Sequence, residues 1–278
     1  MEIRFSEKLN SKQRPLRPNA TDVLFDLDGT LSLMRGGWSD LMLSIFLEKI
    51  PRIPGESETA LSALLQDDMM RQNGKPSIYQ FKRFNERLQE RGASALDPDA
   101  ETDAFVERLQ VIAHRRRDDV RNGKRVPESV LVPGSLPFLK TLKSLGLKLW
   151  LASGTEQSIV NEEVNDFGFH NFFEDRIFSY TPGFSKVQVI EKIMSQPGMT
   201  GERLVAFGDG FVEINETAKR QGLAIAVASD ESWVDRPPYQ GTGKINSFKD
   251  GLLLEAGASL VIPDYTAPQE LIKTIFGK

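Results

Sequence analysis

The chain has 278 residues, with 35 Lys+Arg against 39 Asp+Glu, two His and no Cys, a length that suits one large domain or two modest ones. Without cysteine there is no disulfide, no thiolate metal site and no cysteine nucleophile, and His114 and His170 alone cannot build a multi-His metal centre. Hydrophobic residues at 40% and charged residues at 27% are the balance of an ordinary globular protein, while a net charge of -4 argues against nucleic acid as a partner, because phosphate backbones need clustered positive charge.

Residues 1–20 read as an irregular polar lead-in that carries charge throughout and lacks the apolar centre of a signal peptide. No apolar run approaches the roughly 20 residues that cross a bilayer, so no membrane partner is expected and the cytoplasm is the expected compartment. A short buried strand follows at 22–28 and runs into a turn at Gly29. Similar apolar runs recur at 145–152, 204–207, 223–227 and 259–262. Helical patterns over 135–145, 155–167, 186–195 and 269–276 separate them. Strand alternating with helix is the signature of an α/β fold with a Rossmann-like, mostly parallel sheet.

Between the first strand and the second, residues 39–125 show helical periodicity and almost no strand signal, with helices expected over 40–49, 56–72, 78–91 and 101–121. The expected organisation is therefore an α/β core of 21–34 and 131–278 with an all-helical cap of 35–130 inserted into it. An insertion at the carboxyl edge of the sheet lies above the place where such sheets bind ligands.

The chemistry starts at Phe25-Asp26-Leu27-Asp28-Gly29-Thr30. Residues i and i+2 of a strand face one side, so Asp26 and Asp28 project together. Two carboxylates at the end of an apolar strand are costly unless a cation neutralises them, and Mg²⁺ is the natural oxygen-binding choice. An Asp-Gly turn would account for Asp28 but not for Asp26. A second strand ends on acids at Gly208-Asp209-Gly210-Phe211-Val212-Glu213. It supplies two more carboxylates for the same cation if the two strands are neighbours. A third strand ends at Ala152-Ser153-Gly154-Thr155, where free N–H groups and the Ser153 hydroxyl can cradle an anion and Thr155 is expected to cap the next helix. Finally, Gly183-Phe184-Ser185-Lys186 puts a lysine at a helix start, where positive charge opposes the helix dipole.

In this order the four motifs resemble the haloacid dehalogenase-like (HAD) hydrolase superfamily. The first motif is intact as Asp26, Asp28, Gly29 and Thr30; Ser153, Lys186 and Gly208-Asp209 with Glu213 match the other three, and an inserted helical cap is also a family feature. Glu213 departs from the Asp found in many members. The resemblance implies a Mg²⁺-dependent phosphatase in which Asp26 forms an aspartyl-phosphate and Asp28 acts as acid and then base. Asp26, the Asp28 carbonyl, Asp209 and Glu213 would serve the metal, with Glu213 acting directly or through water. Thr30, Ser153, Gly154 and Lys186 would hold the phosphoryl group. The second Asp of the first motif marks phosphoryl transfer in that superfamily rather than dehalogenation. The substrate expected is a small phosphorylated metabolite, such as a sugar phosphate. Two alternatives stay open: a phosphotransferase or mutase using the same aspartyl-phosphate, and a non-catalytic phosphate-binding module.

Other enzyme classes lack their motifs. There is no Gly-x-Ser-x-Gly elbow, and Gly241-Thr242-Gly243-Lys244-Ile245 fails as a P-loop because Pro238 and Ile245 stand where Gly and Ser/Thr belong. For substrate choice, Arg35 and Trp38 beside the Gly36-Gly37 hinge either contact the leaving group or simply pack the hinge. Lys75 and Tyr79 belong to a polar loop that could set specificity. The run from His114 to Asp119 reads as a solvated helix face.

Overall fold

The computed structural model describes residues 3–6 and 16–278. Among these residues seven strands form one sheet in the order β1-β7-β6-β5-β2-β3-β4. They are β1 (Arg4–Phe5), β2 (Asp22–Phe25), β3 (Lys148–Glu156), β4 (Ile177–Tyr180), β5 (Leu204–Gly208), β6 (Leu223–Val227) and β7 (Leu260–Ile262). All neighbours run parallel except β1 and β7. The expected lead-in therefore contains a strand at Arg4–Phe5, paired with Val261 and Leu260 across the chain. Two residues carry no periodicity of their own, so only the distant partner makes this strand.

The strands alternate their side chains between two helical layers. Val23, Phe25, Val205 and Phe207 face one layer, built by α5 (Ser135–Ser144), α6 (Gln157–Asp166), α7 (His170–Phe173) and α11 (Pro268–Phe276). Phe25 stacks on Phe207 at 4.9 Å between ring centroids, and Phe138 stacks on Tyr265 at 4.9 Å. Leu24 and Ala206 face the other layer, built by α8 (Lys186–Met194), α9 (Phe211–Lys219) and α10 (Ser247–Ala256).

Between β2 and β3 lie α1 (Trp38–Lys49), α2 (Glu58–Arg71), α3 (Ile78–Glu90) and α4 (Pro98–Arg121). They enclose an apolar cluster of their own, in which Phe46 stacks on Phe84 at 4.1 Å and meets Phe81 edge-on at 5.4 Å. The end of α4 departs from the solvated face expected of it. Arg116 is buried; it binds Asp235 at 3.0 and 2.7 Å and the carbonyls of Leu33 and Met34 at 3.1 and 2.9 Å. Arg117 is also buried and pairs with Glu162 and Asp166. These guanidinium groups fasten the last cap helix to the linker and to α6, and their partners are too remote in sequence to show in a charge run. No described helix is long and apolar enough to cross a membrane.

Candidate active site

Register assembles the site. Phe25 lies level with Leu151 on one side and Phe207 on the other. The residues just beyond these three, Asp26, Ser153 and Asp209, therefore emerge together at the carboxyl edge of the sheet, where open α/β sheets bind ligands.

Asp26 is buried, and its Oδ1 accepts the Leu27 N–H at 2.8 Å while Oδ2 pairs with Lys186 Nζ at 2.8 Å. Lys186 opens α8 and reaches Glu213 Oε2 at 3.0 Å. Glu213 in turn accepts the Gly210 N–H on Oε1 at 2.7 Å, closing the first turn of α9. Both oxygens of Glu213 are thus engaged, and its visible work is to orient Lys186 and cap α9. Burial would lower the Lys186 ammonium, but Asp26 and Glu213 outweigh it and hold the group charged. Burial pushes Asp26 well above the ordinary carboxylate range; Lys186 opposes this, while Glu213 and Asp209 add to it.

Asp209 lies against the turn that follows Asp28. A Cβ on Gly29 would stand 2.1 Å from Asp209 Oδ2, and Gly29 has φ +68°, so only glycine fits between them. Lys249 of α10 pairs with Asp209 Oδ2 at 2.9 Å and with Glu231 Oε1 at 2.5 Å. Glu231 Oε2 then accepts the Gly37 N–H of the cap hinge at 3.1 Å. Burial pushes the Asp209 carboxyl up to about 6, with Lys249 opposing and Glu231 and Glu213 adding.

Ligand oxygens of Asp26, Asp209 and Glu213 lie within 4.8 Å of one another. Here four carboxylates, counting Glu231, face two ammonium groups. The excess of two negative charges in a buried place is the charge of one divalent cation, and all-oxygen donors suit Mg²⁺. The residues fit the metal, with Asp26, Asp209 and Glu213 as the carboxylates that would hold it.

Asp28 is held differently. Its Oδ1 takes Arg35 Nε at 2.7 Å and its Oδ2 takes the Thr155 hydroxyl at 2.7 Å. Arg35 also pairs with the fully buried Glu163, which accepts the Ser32 hydroxyl at 2.7 Å. Thr155 therefore does not cap α6 as expected; β3 continues through Glu156 and the hydroxyl serves Asp28. Ser153 is buried and its Oγ accepts the Thr155 N–H at 3.0 Å. Thr30 is buried, with a hydroxyl that has no partner among the described residues.

The cap roofs this floor. Asn73 Nδ2 donates to the Asp209 carbonyl at 3.0 Å, and the Phe211 N–H donates to the Asn73 carbonyl at 3.1 Å. Gly74 with φ +91° lets the loop touch down, since a Cβ there would stand 2.8 Å from Glu213 Oε2. A cavity between floor and roof is lined by Asp26, Asp28, Gly154, Lys186 and Asp209 below, and by Trp38, Lys75 and Gln80 above, with Arg35 at the hinge. Tyr79, expected as a substrate contact, is 45% exposed and lies outside that lining. One residue along α3 turns the chain about a quarter of a circle, so Gln80 faces the cavity instead. Sequence reasoning passed over Glu163, Lys249, Glu231, Asn73 and Gln80 as site residues. Glu163 alone left a trace, an acid beside Val160 and Val164 on the apolar stripe of α6.

Among curated proteins no sequence matches this chain. Among solved structures, a predicted phosphoglycolate phosphatase from Haemophilus somnus 129PT has 13% identity and a TM-score of 0.54, covering 91% of this chain and 98% of that one. A candidate beta-phosphoglucomutase from Bacteroides vulgatus has 17% identity and a TM-score of 0.57, with 94% and 92% covered. A HAD family hydrolase from Deinococcus radiodurans R1, solved with phosphate and sodium, has 16% identity and a TM-score of 0.52, with 92% and 95% covered. At these identities the likeness speaks for the fold. The family model for haloacid dehalogenase-like hydrolases matches residues 23–220, which span all four motifs and the helical insertion, and the chain belongs to that family.

Proposed function

We propose that this chain is a Mg²⁺-dependent phosphomonoester hydrolase of a small soluble metabolite, working through an aspartyl-phosphate on Asp26. The observation that carries the reading is the buried pairing of Asp26 with Lys186, beside Asp209 and beneath a closed cap. In this reading residues 35–130 act as the cap over a core of 21–34 and 131–278.

Asp26 attacks phosphorus, and the substrate alcohol leaves as the P–O bond breaks. Bound Mg²⁺ supplies the positive charge that lets a carboxylate approach a phosphate dianion. Lys186 adds a fixed charge on the same side, held in place by Glu213. Gly154 lines the cavity, and its N–H with the buried Ser153 and Thr30 would hold the transferring oxygens.

Asp28 handles the proton. Arg35 occupies Oδ1 as an acceptor, so Oδ2 is the oxygen through which a proton can pass, where the Thr155 hydroxyl can rotate from donor to acceptor. Oδ2 gives this proton to the departing alcohol and recovers one from the water that splits the aspartyl-phosphate, releasing phosphate and free Asp26. Such acid–base work contributes about 10²–10⁴ in rate.

The test is a phosphate-release screen over phosphorylated metabolites with Mg²⁺, run beside Asp26→Asn and in EDTA. Turnover that disappears in both is the expected result. Undiminished release in EDTA, or near-native turnover by Asp26→Asn, would overturn the mechanism.

A further inference from the structure

A second chamber opens from the catalytic cavity, sharing Arg35, Ser77, Leu109, Gly154 and Thr155 with it and extending between α4 and the end of β3. Asp209 and Lys186 line only the catalytic cavity. A substrate with its phosphoryl group at Asp26 has this adjoining chamber open to its alcohol portion. The polar character of the chamber therefore bears on what that alcohol is.

Three carboxylates, Asp99, Asp103 and Glu156, line the chamber, and none has a cationic partner among the described residues. Among the described residues the one cation in its lining is Arg35, and Arg35 is committed to Asp28 and Glu163. Acids at a cleft mouth are common, and alone they would say little. The second observation is Gln80. It is 4% exposed and lines the catalytic cavity, and its Oε1 is buried without a partner among the described residues. A buried amide left unpaired carries an uncompensated desolvation cost. That cost is recovered when a ligand hydroxyl or ammonium reaches it. Turned either way, the amide offers hydrogen bonds that no protein group uses.

Resting on the phosphatase reading, we infer that the released alcohol is a hydrogen-bond donor without a second anionic group, and that Gln80 is the residue that reads it. Hydroxyl groups or an ammonium satisfy Gln80 and the three carboxylates. A carboxylate or second phosphate in the same chamber faces like charges and finds no uncommitted cation there.

The test measures kcat/KM of the full chain with Mg²⁺ for a hydroxylated ester (glycerol 3-phosphate and a hexose monophosphate), an amine ester (phosphoethanolamine), an acid ester (2-phosphoglycolate) and a hexose bisphosphate. Para-nitrophenyl phosphate serves as the generic ester. The hydroxylated or the amine ester should exceed both anionic esters by about tenfold or more, the two arms separating hydroxyl from ammonium. Gln80→Leu should lower kcat/KM for the preferred ester by about tenfold or more beyond whatever loss it causes on the generic ester. Asp103→Asn should reduce the preference over 2-phosphoglycolate in a chain whose Gln80 is intact. Preference for 2-phosphoglycolate or the bisphosphate overturns the inference, as does an equal loss on all esters in Gln80→Leu when that variant unfolds like the parent. If Gln80→Leu does not fold, Gln80→Glu decides, since it should depress the anionic esters further. Failure on every ester, the generic one included, would instead overturn the phosphatase reading beneath it.

Discussion

Arg35 Nε donates to Asp28 Oδ1 at 2.7 Å from a guanidinium whose other end is sunk against the fully buried Glu163. The cation thus stands between a carboxylate in the active-site cavity and one deep beneath it. Burial alone would weaken the Arg35 charge, but Asp28 and Glu163 hold it firmly protonated, and burial raises Glu163 despite Arg35. Removing one partner of such a group leaves a buried charge uncompensated, at about 3–5 kcal/mol. Arg35→Met should therefore lower stability by that order in urea denaturation. Adding Glu163→Gln should restore part of the loss, because the stranded charge is then gone. A double variant no better than the single would show that the pair contributes through packing alone.

Asp28 and Lys186 should separate by leaving group. Asp28→Asn removes the proton donor, so an alkyl phosphate should lose about 10²-fold or more in rate, while para-nitrophenyl phosphate, whose leaving group needs little help, should still load Asp26. Lys186→Met removes charge from the phosphoryl group that all substrates share and should slow both esters alike. The check is kcat for the two esters in each variant, with acid-quenched protein assayed for covalent phosphate.

The raised acids make metal-free protein sensitive to pH in an unusual direction. Asp209 titrates near 3.8 in an unfolded chain and at about 6 when folded, and Asp26 moves the same way. Between those values the folded state binds more protons than the unfolded state, so stability falls as pH rises through about 6. In EDTA the urea midpoint should be lower at about pH 7 than at about pH 5. Saturating Mg²⁺ should erase the difference by binding the folded form, and Asp209→Asn should shrink it without metal.

Gly74 tests whether the cap must touch the floor. Gly74→Ala places a side chain at φ +91° and a Cβ 2.8 Å from Glu213 Oε2. The backbone cost is about 1 kcal/mol, and the cheapest relief is to lift the loop away from Asp209. The expected result is a fall in kcat/KM of about tenfold or more, with the denaturation midpoint of the chain little changed. Unaltered kinetics would mean that the contact of Asn73 and Gly74 with the core is dispensable.

The readability of the chain follows the range of the forces involved. The strand at Asp22–Phe25, the helical insertion and the helices over Ser135–Ser144, Lys186–Met194 and Pro268–Phe276 showed in the sequence because periodicity and caps are local. The family was legible for the same reason, since Asp26, Asp28, Ser153, Lys186 and Asp209 each sit in or beside an apolar strand or helix start that can be read within a few residues. The strand at Arg4–Phe5 escaped because its reason for existing is Val261, and β4 escaped because four half-covered residues resemble a loop.

The division is sharper within the site. The residue types and their order along the chain were determined by the sequence itself: two acids after one strand, a hydroxyl after another, a lysine at a helix start. What each side chain does was decided only by tertiary contacts. Thr155 serves Asp28 rather than α6, Glu213 orients Lys186, Lys249 reaches Asp209 from forty residues away, and Gln80 rather than Tyr79 enters the cavity. Hydrogen bonds and ion pairs act over about 3 Å, so they depend on which elements fold against one another. Only the packed structure supplies that adjacency.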